Sequence, residues 1–147
     1  MKITEALLAE HQVFHNLFDH VEAVVPKLKS LAEVRLLAGL LETALKAHSA
    51  TEDELLLTPM DHCIEQLGQA DTFHKEHAEI DNALLAIQEA RQISAARRLL
   101  LQAVQASRAH FDKEERIVFP LAERSLSDQT LNNLGEAWAR RRESTSV

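Results

Sequence analysis

The sequence predicts an all-α protein, an antiparallel up-down-up-down four-helix bundle closed by a short C-terminal fifth helix. Three observations carry this. The 147 residues hold only three Gly and three Pro, while 46% are apolar, so breakers are few and a core is affordable in material terms. Four long segments repeat apolar residues at helical spacing. The breaks between them are short, which makes consecutive helices antiparallel neighbours.

The first helix is expected from about Thr4 to Val25, with Ile3, Leu7, Phe14, Phe18, Val21 and Val25 on one face and Pro26 closing it. The second opens on Ser30-Leu31-Ala32-Glu33, a capping box. It runs through Leu37, Leu41, Ala44 and Leu45 to about Leu57 and is expected to stop before Pro59. A loop or short helical turn is expected from Met60 to Ala70, with Gly68 at its loosest part. The third helix covers about Asp71 to Arg91, with Phe73, Ile80, Leu84 and Ile87 inward. Ser94 is the expected N-cap of the fourth, which places Leu99, Ala103, Ala106, Ile117 and Leu121 inward and bends at Pro120. A fifth helix begins near Ser127-Asp128, carries Leu131, Leu134 and Trp138, and gives way to a solvated Arg140-Arg141-Arg142 end and a polar tail. It is read as a lid that packs Trp138 on the bundle. One domain is expected over residues 1–147, with its core at 4–123 and the closing helix and tail at 127–147.

Composition excludes several classes of function. The net charge is −7 and no basic stripe is present, which argues against nucleic acid as a partner. The single Cys63 permits neither an internal disulfide nor an all-cysteine metal site. No stretch approaches the roughly 18 apolar residues of a membrane span. No apolar leader follows Met1, so a cytoplasmic protein is expected. Neither a P-loop, a dinucleotide fingerprint nor a nucleophile elbow occurs.

The eight histidines are the unusual component. His11, His48, His77 and His110 each fall on the apolar face of a different long helix. His48 and His110 are followed at i+4 by Glu52 and Glu114, one turn along the same face. The halves echo each other: His11 to His77 is 66 residues and His48 to His110 is 62. Any one of these histidines alone reads as a boundary residue, and either pair alone as a helix-surface pair. The set does not, because a buried carboxylate costs several kcal/mol unless it is paired or metal-bound. Two cations resolve the cost, with a carboxylate of each pair bridging ions that in two-metal sites stand roughly 3.5–4 Å apart. Imidazole with carboxylate suits iron, with manganese or zinc as substitutes.

His15 and His74 lie at the edges of the apolar face, where each could ligate as well, hydrogen-bond a ligating group, or simply face solvent. His20 and His62 read as surface residues, Glu22 and Asp81 as surface charge, and Trp138 as core filler.

The ordered set His11, His48-x3-Glu52, His77 and His110-x3-Glu114 resembles the hemerythrin-like (HHE cation-binding) family over about residues 4–123. The resemblance implies a four-helix bundle with an oxo- or hydroxo-bridged pair of iron ions. It also implies the four histidines as terminal ligands and Glu52 and Glu114 as bridges. The chain departs from the invertebrate oxygen carriers, which have HxxxH on the third helix and HxxxxD on the fourth. One fewer histidine implies a more open iron, and hence binding or sensing of O2, NO or peroxide. The alternative is a di-iron enzyme or iron donor for peroxide or NO handling or iron–sulfur cluster repair, although the N-terminal cysteine segment usual in repair proteins is missing. A metal-free bundle serving protein contacts is the third reading, with no protein partner named by the sequence. A ferritin-like enzyme is disfavoured, since those bundles use Glu-x-x-His at i+3.

Overall fold

A computed structural model describes residues 1–68 and 70–144. Among the described residues seven α-helical stretches follow in order: α1 (Ile3–Val24), α2 (Leu31–Glu52), α3 (Thr58–Gln66), α4 (Ala70–Glu89), α5 (Ile93–Lys113), α6 (Phe119–Ser125) and α7 (Asp128–Ser144). A short 3₁₀ turn, Val25–Lys27, takes up Pro26 after α1. The long rods α1, α2, α4 and α5 form the four-helix bundle, and α7 packs along α1. No strand occurs among the described residues, and no described helix is long and apolar enough to cross a membrane.

The ends of the helices follow their sequences only in part. Ser30 caps α2 as expected, its Oγ accepting from Glu33 N–H at 3.2 Å. At the start of α1 the Glu5 carboxylate takes the Lys2 backbone N–H at 2.8 Å. The expected Ser94 cap is replaced by Gln92, which caps α5 with its backbone conformation and no side-chain bond. The last helix also continues through the arginines to Ser144.

The larger correction concerns Pro59. The second rod does not stop before it. Glu52 passes into a five-residue π-helical segment, Asp53–Leu57, and then into α3, with Pro59 in its first turn. The same event recurs after α5, where Glu114–Val118 is π-helical and Pro120 sits in the first turn of α6. A proline ring in an α-helix collides with the carbonyl four residues back and lacks the N–H to bond it. A wider π turn just upstream opens that spacing, so both rods cross a proline unbroken.

Each π segment also inserts one residue into the helical count, which turns later side chains by about 100°. The expected inward residues Ile117 and Leu121, and Leu55 at the corresponding place of the second rod, are therefore only half-buried, and Leu56, Val118 and Ala122 take the core positions. Ala106 is exposed for a different reason. The inner face of α5 centres on Leu100, Ala103, Val104 and Ser107, and the buried Ser107 hydroxyl donates to Ala103 O at 2.8 Å.

The apolar core has two parts. One gathers Phe14, Phe18, Val21, Leu41, Leu84, Leu100 and Phe111. The other gathers Ile3, Leu7, Leu56, Met60, Phe73, Val118, Phe119 and Leu131. The buried polar residues His11, His48, Glu52, His77, His110 and Glu114 occupy the turns between these two groups along each rod.

Gly135 sets how closely α7 lies on the N-terminus. A Cβ added there would stand 1.9 Å from Met1 O. Alanine in a helix interior ordinarily gains about 1 kcal/mol over glycine. Here Gly135→Ala is expected to lose about 1–3 kcal/mol through overpacking, read as a lower urea midpoint, and a gain would contradict the close contact.

Candidate metal centre

Four helices and two π segments build the centre. α1 supplies His11, α2 supplies His48 and Glu52, α4 supplies His77, α5 supplies His110, and Glu114 opens the second π segment. All six are buried. They fall into two groups of potential ligands, His11, His48, Glu52 and Glu114 in one and Glu52, His77, His110 and Glu114 in the other. Within each group, one donor atom from every residue lies within 4.8 Å of all the others. Both glutamates belong to both groups.

The distances show how they are shared. Glu52 Oε2 stands 3.6 Å from Nε2 of His48 and 3.6 Å from Nε2 of His77. Glu114 Oε1 is 3.7 Å from His11 Nε2 and 3.3 Å from His110 Nε2, while its Oε2 is 4.0 Å from His77 Nε2. Every histidine thus turns Nε2 inward.

The outer nitrogens meet four carboxylates to which the sequence reading gave no role. His11 Nδ1 bonds Glu115 at 3.0 Å, His77 Nδ1 bonds Asp53 at 3.1 Å, and His110 Nδ1 bonds Glu76 at 2.7 Å. His48 Nδ1 stops 3.6 Å from Glu10. Each carboxylate comes from the rod preceding that of its histidine, α1 to α2, α2 to α4, α4 to α5 and α5 back to α1, so the contacts close a ring around the bundle. An ionised carboxylate only accepts, which fixes Nδ1–H on three of the rings and leaves their Nε2 lone pairs facing the centre. His48 is the exception. Its Nε2 lies 3.2 Å from that of His11, so without a cation it must donate there and leave Nδ1 without a proton for Glu10.

The signal for this ring was present in the sequence. Each of the four carboxylates is the immediate neighbour of an inward residue, as Glu10-His11, Glu52-Asp53, Glu76-His77 and Glu114-Glu115. The neighbour on a helix lies about 100° around, which is enough to reach the next rod.

The other expected residues stand outside. His15 lies against Arg108 at 3.2 Å and Glu115 at 3.9 Å, and His74 faces Asp53 at 3.5 Å and Asp61 at 3.4 Å. Neither joins a ligand group. Glu22 accepts from Arg108 on the surface. Trp138 is more than filler, since its indole N–H donates to Glu10 at 2.8 Å. The arginine end is not free in solvent either. Arg142 pairs with Glu10 at 2.8 Å, and Arg141 pairs with Glu54.

Electrostatically the layer is unfinished as protein alone. Burial, and next the charge of Glu114, pushes the Glu52 carboxyl well above the carboxylate range. Burial raises Glu114 to about 8. Burial, followed by the His48 and His110 imidazoles, holds His11 down to about 2. Burial would raise Glu10 too, but the nearby His48 ring and the N–H groups of Arg142 and Trp138 outweigh it and hold the group at about 2. All four oxygens of Glu52 and Glu114 lack a hydrogen-bond partner, as do Nε2 of His77 and His110. Buried acceptors without donors are what a cation satisfies, and neutral imidazoles are what it needs. The residues present therefore fit a metal pair.

These shifts set a pH dependence for the metal-free protein. Folded Glu114 keeps a proton that the unfolded chain sheds near 4.5, so its contribution falls as pH rises from there to about 8. Glu52 acts in the same direction. Folded His11 refuses a proton that the unfolded chain takes up below 6.5, so its contribution rises with pH to that point. His11 and Glu114 offset each other between 4.5 and 6.5, and only the loss remains above. The urea midpoint without metal is expected to fall between pH 6.5 and 8. A midpoint that climbs through that interval would show the carboxyls to be ionised and otherwise paired.

A family model described as the hemerythrin HHE cation-binding domain matches residues 2–122 and, in a second match, residues 68–137. No curated protein and no solved structure matches the chain. With most of its length under that family model and buried His/Glu groups able to hold a metal ion, the chain belongs to the hemerythrin HHE cation-binding family.

Proposed function

We propose that this chain holds two iron ions between its rods and binds or senses O2, NO or peroxide there. The observation that carries the reading is the sharing of Glu52 and Glu114, with all four oxygens partnerless, between two histidine pairs. His11 and His48 would be terminal ligands of one ion, His77 and His110 of the other, and the two glutamates the bridges. Imidazole with carboxylate suits iron, with manganese or zinc as substitutes. Once bound, the pair supplies redox capacity and open coordination positions for a small ligand. The protein's own residues hold three of the imidazoles, His11, His77 and His110, in the ligating tautomer and keep the layer dry between two apolar clusters.

Phe73 favours a sensor over a carrier. It stands one turn before His77, where the invertebrate carriers place a further histidine. Its ring is buried and lies edge-on to His110, centroids 6.0 Å apart. That position offers no ligand atom.

Elemental analysis with an absorption spectrum before and after reduction is the direct test. About two irons per chain and near-ultraviolet bands that bleach and return are expected for a two-metal site. Substoichiometric metal without spectral change would remove the redox reading. His48→Ala and His110→Ala are each expected to lose most of the metal, and retention of two ions in either would sink the ligand assignment. Glu52→Gln is expected to raise the urea midpoint of the metal-free protein at pH 8 while abolishing magnetic coupling between bound irons. Unchanged coupling would contradict the bridging role.

A further inference from the structure

The six inner residues are almost sealed. Five are at most 1% exposed and His77 is 7% exposed, so the thinnest cover lies over His77. Its outer partner Asp53 is also the most open of the four ring carboxylates, at 36% against 17% for Glu10, 20% for Glu76 and 27% for Glu115. Beyond Asp53 stand His74 and Asp61, at 44% and 45%. The groups form a graded line inward. His74 bridges Asp61 at 3.4 Å and Asp53 at 3.5 Å, and the same Asp53 oxygen holds His77 Nδ1 at 3.1 Å. Nε2 of His77 then has no hydrogen-bond partner and lies 3.6 Å from Glu52.

The other three sides carry fixed positive charge. Glu10 is held by Arg142 and Glu76 by Lys113. Beside Glu115, His15 is backed by Arg108, which also pairs with Asp19 and Glu22. Among the described residues neither lysine nor arginine pairs with Asp53, Asp61 or His74. A cation approaching Glu10, Glu76 or Glu115 meets like charge, whereas here it meets two carboxylates and an imidazole. Asp53 also begins a π segment, where the helix ladder is already widened.

We propose that Asp61, His74 and Asp53 form the port through which divalent metal enters and leaves, passing it to the centre at His77. The inference rests on the two-metal reading above. A port changes the path and not the endpoint, so it must act equally on entry and exit and leave the affinity alone. Diffuse surface charge acts mainly on entry.

The test uses Co2+ alone, followed by stopped-flow absorbance, with release to EDTA as the second arm. The variant carries Asp61→Asn and His74→Asn, both at exposed positions, and Asp112→Asn removes the same charge from an exposed site on α5. The port requires both entry and release to slow by about tenfold in the double variant, an effect within the range of guided cation association. Stoichiometry and Kd stay at wild-type values, and Asp112→Asn matches wild type in both arms. Wild-type rates in the double variant would overturn the port. So would slowing of entry alone to the extent seen in Asp112→Asn, which marks generic charge. A drop in stoichiometry would overturn it by making His74 or Asp61 a ligand. Failure of the wild-type protein to bind Co2+ would instead bring down the two-metal reading itself.

Discussion

Two glutamates set the terms for the rest of this molecule. Glu52 and Glu114 are fully buried, lie close enough to share donors, and have no N–H or O–H to satisfy them. Like charges in a dry layer cannot both persist, so the chain must hold protons or cations there. The other groups of the layer are arranged around that demand. Four imidazoles face inward, and the carboxylates outside three of them fix the tautomer that leaves a lone pair for a cation. Two apolar clusters exclude the water that would otherwise dissipate the field.

The ring of outer carboxylates shows how the bundle ties its rods together. No rod both holds its own histidine and supplies that histidine's acceptor. His11 needs Glu115, His77 needs Asp53, His110 needs Glu76, and His48 faces Glu10. The centre is thus a property of the assembled bundle and cannot form on one helix-loop-helix half. The C-terminal helix joins through Glu10, where Trp138 and Arg142 donate to the same carboxylate that His48 approaches. His48 is the loosest of the four, since its Nε2 faces His11 and its Nδ1 stops 3.6 Å from Glu10.

Much of this was legible in the sequence, and for definite reasons. The six inner residues could be found because they break an apolar face, and a polar residue on such a face stands out in any count of period. Glu10, Asp53, Glu76 and Glu115 were not found, because a carboxylate beside an apolar face looks like the ordinary surface of a soluble helix. Only the position of the neighbouring rod distinguishes them. The stop expected at Pro59 failed because the rule for proline assumes an α-helical turn upstream. The same hidden turn explains why Leu55, Ile117 and Leu121 missed the core by one residue. Ser94 and the arginine end failed on local signals that tertiary contacts overrode, as with Arg142 on Glu10.

The two π segments have a consequence for how such a chain can change over time. Each adds one residue to a rod directly at or after a buried glutamate, so side chains before and after it follow different phases. Substitution alone cannot restore a common phase, because the mismatch is one of count. Loss of a single codon within 53–57 or 114–118 would return the rod to an unbroken α ladder. By the same count the downstream side chains would keep their faces, with Leu56 or Val118 moving into the inward position of an unbroken ladder, but the following proline would be set against a carbonyl. Substitution leaves that count untouched, while a one-residue deletion would keep the apolar residues in phase and remove the room that Pro59 or Pro120 needs.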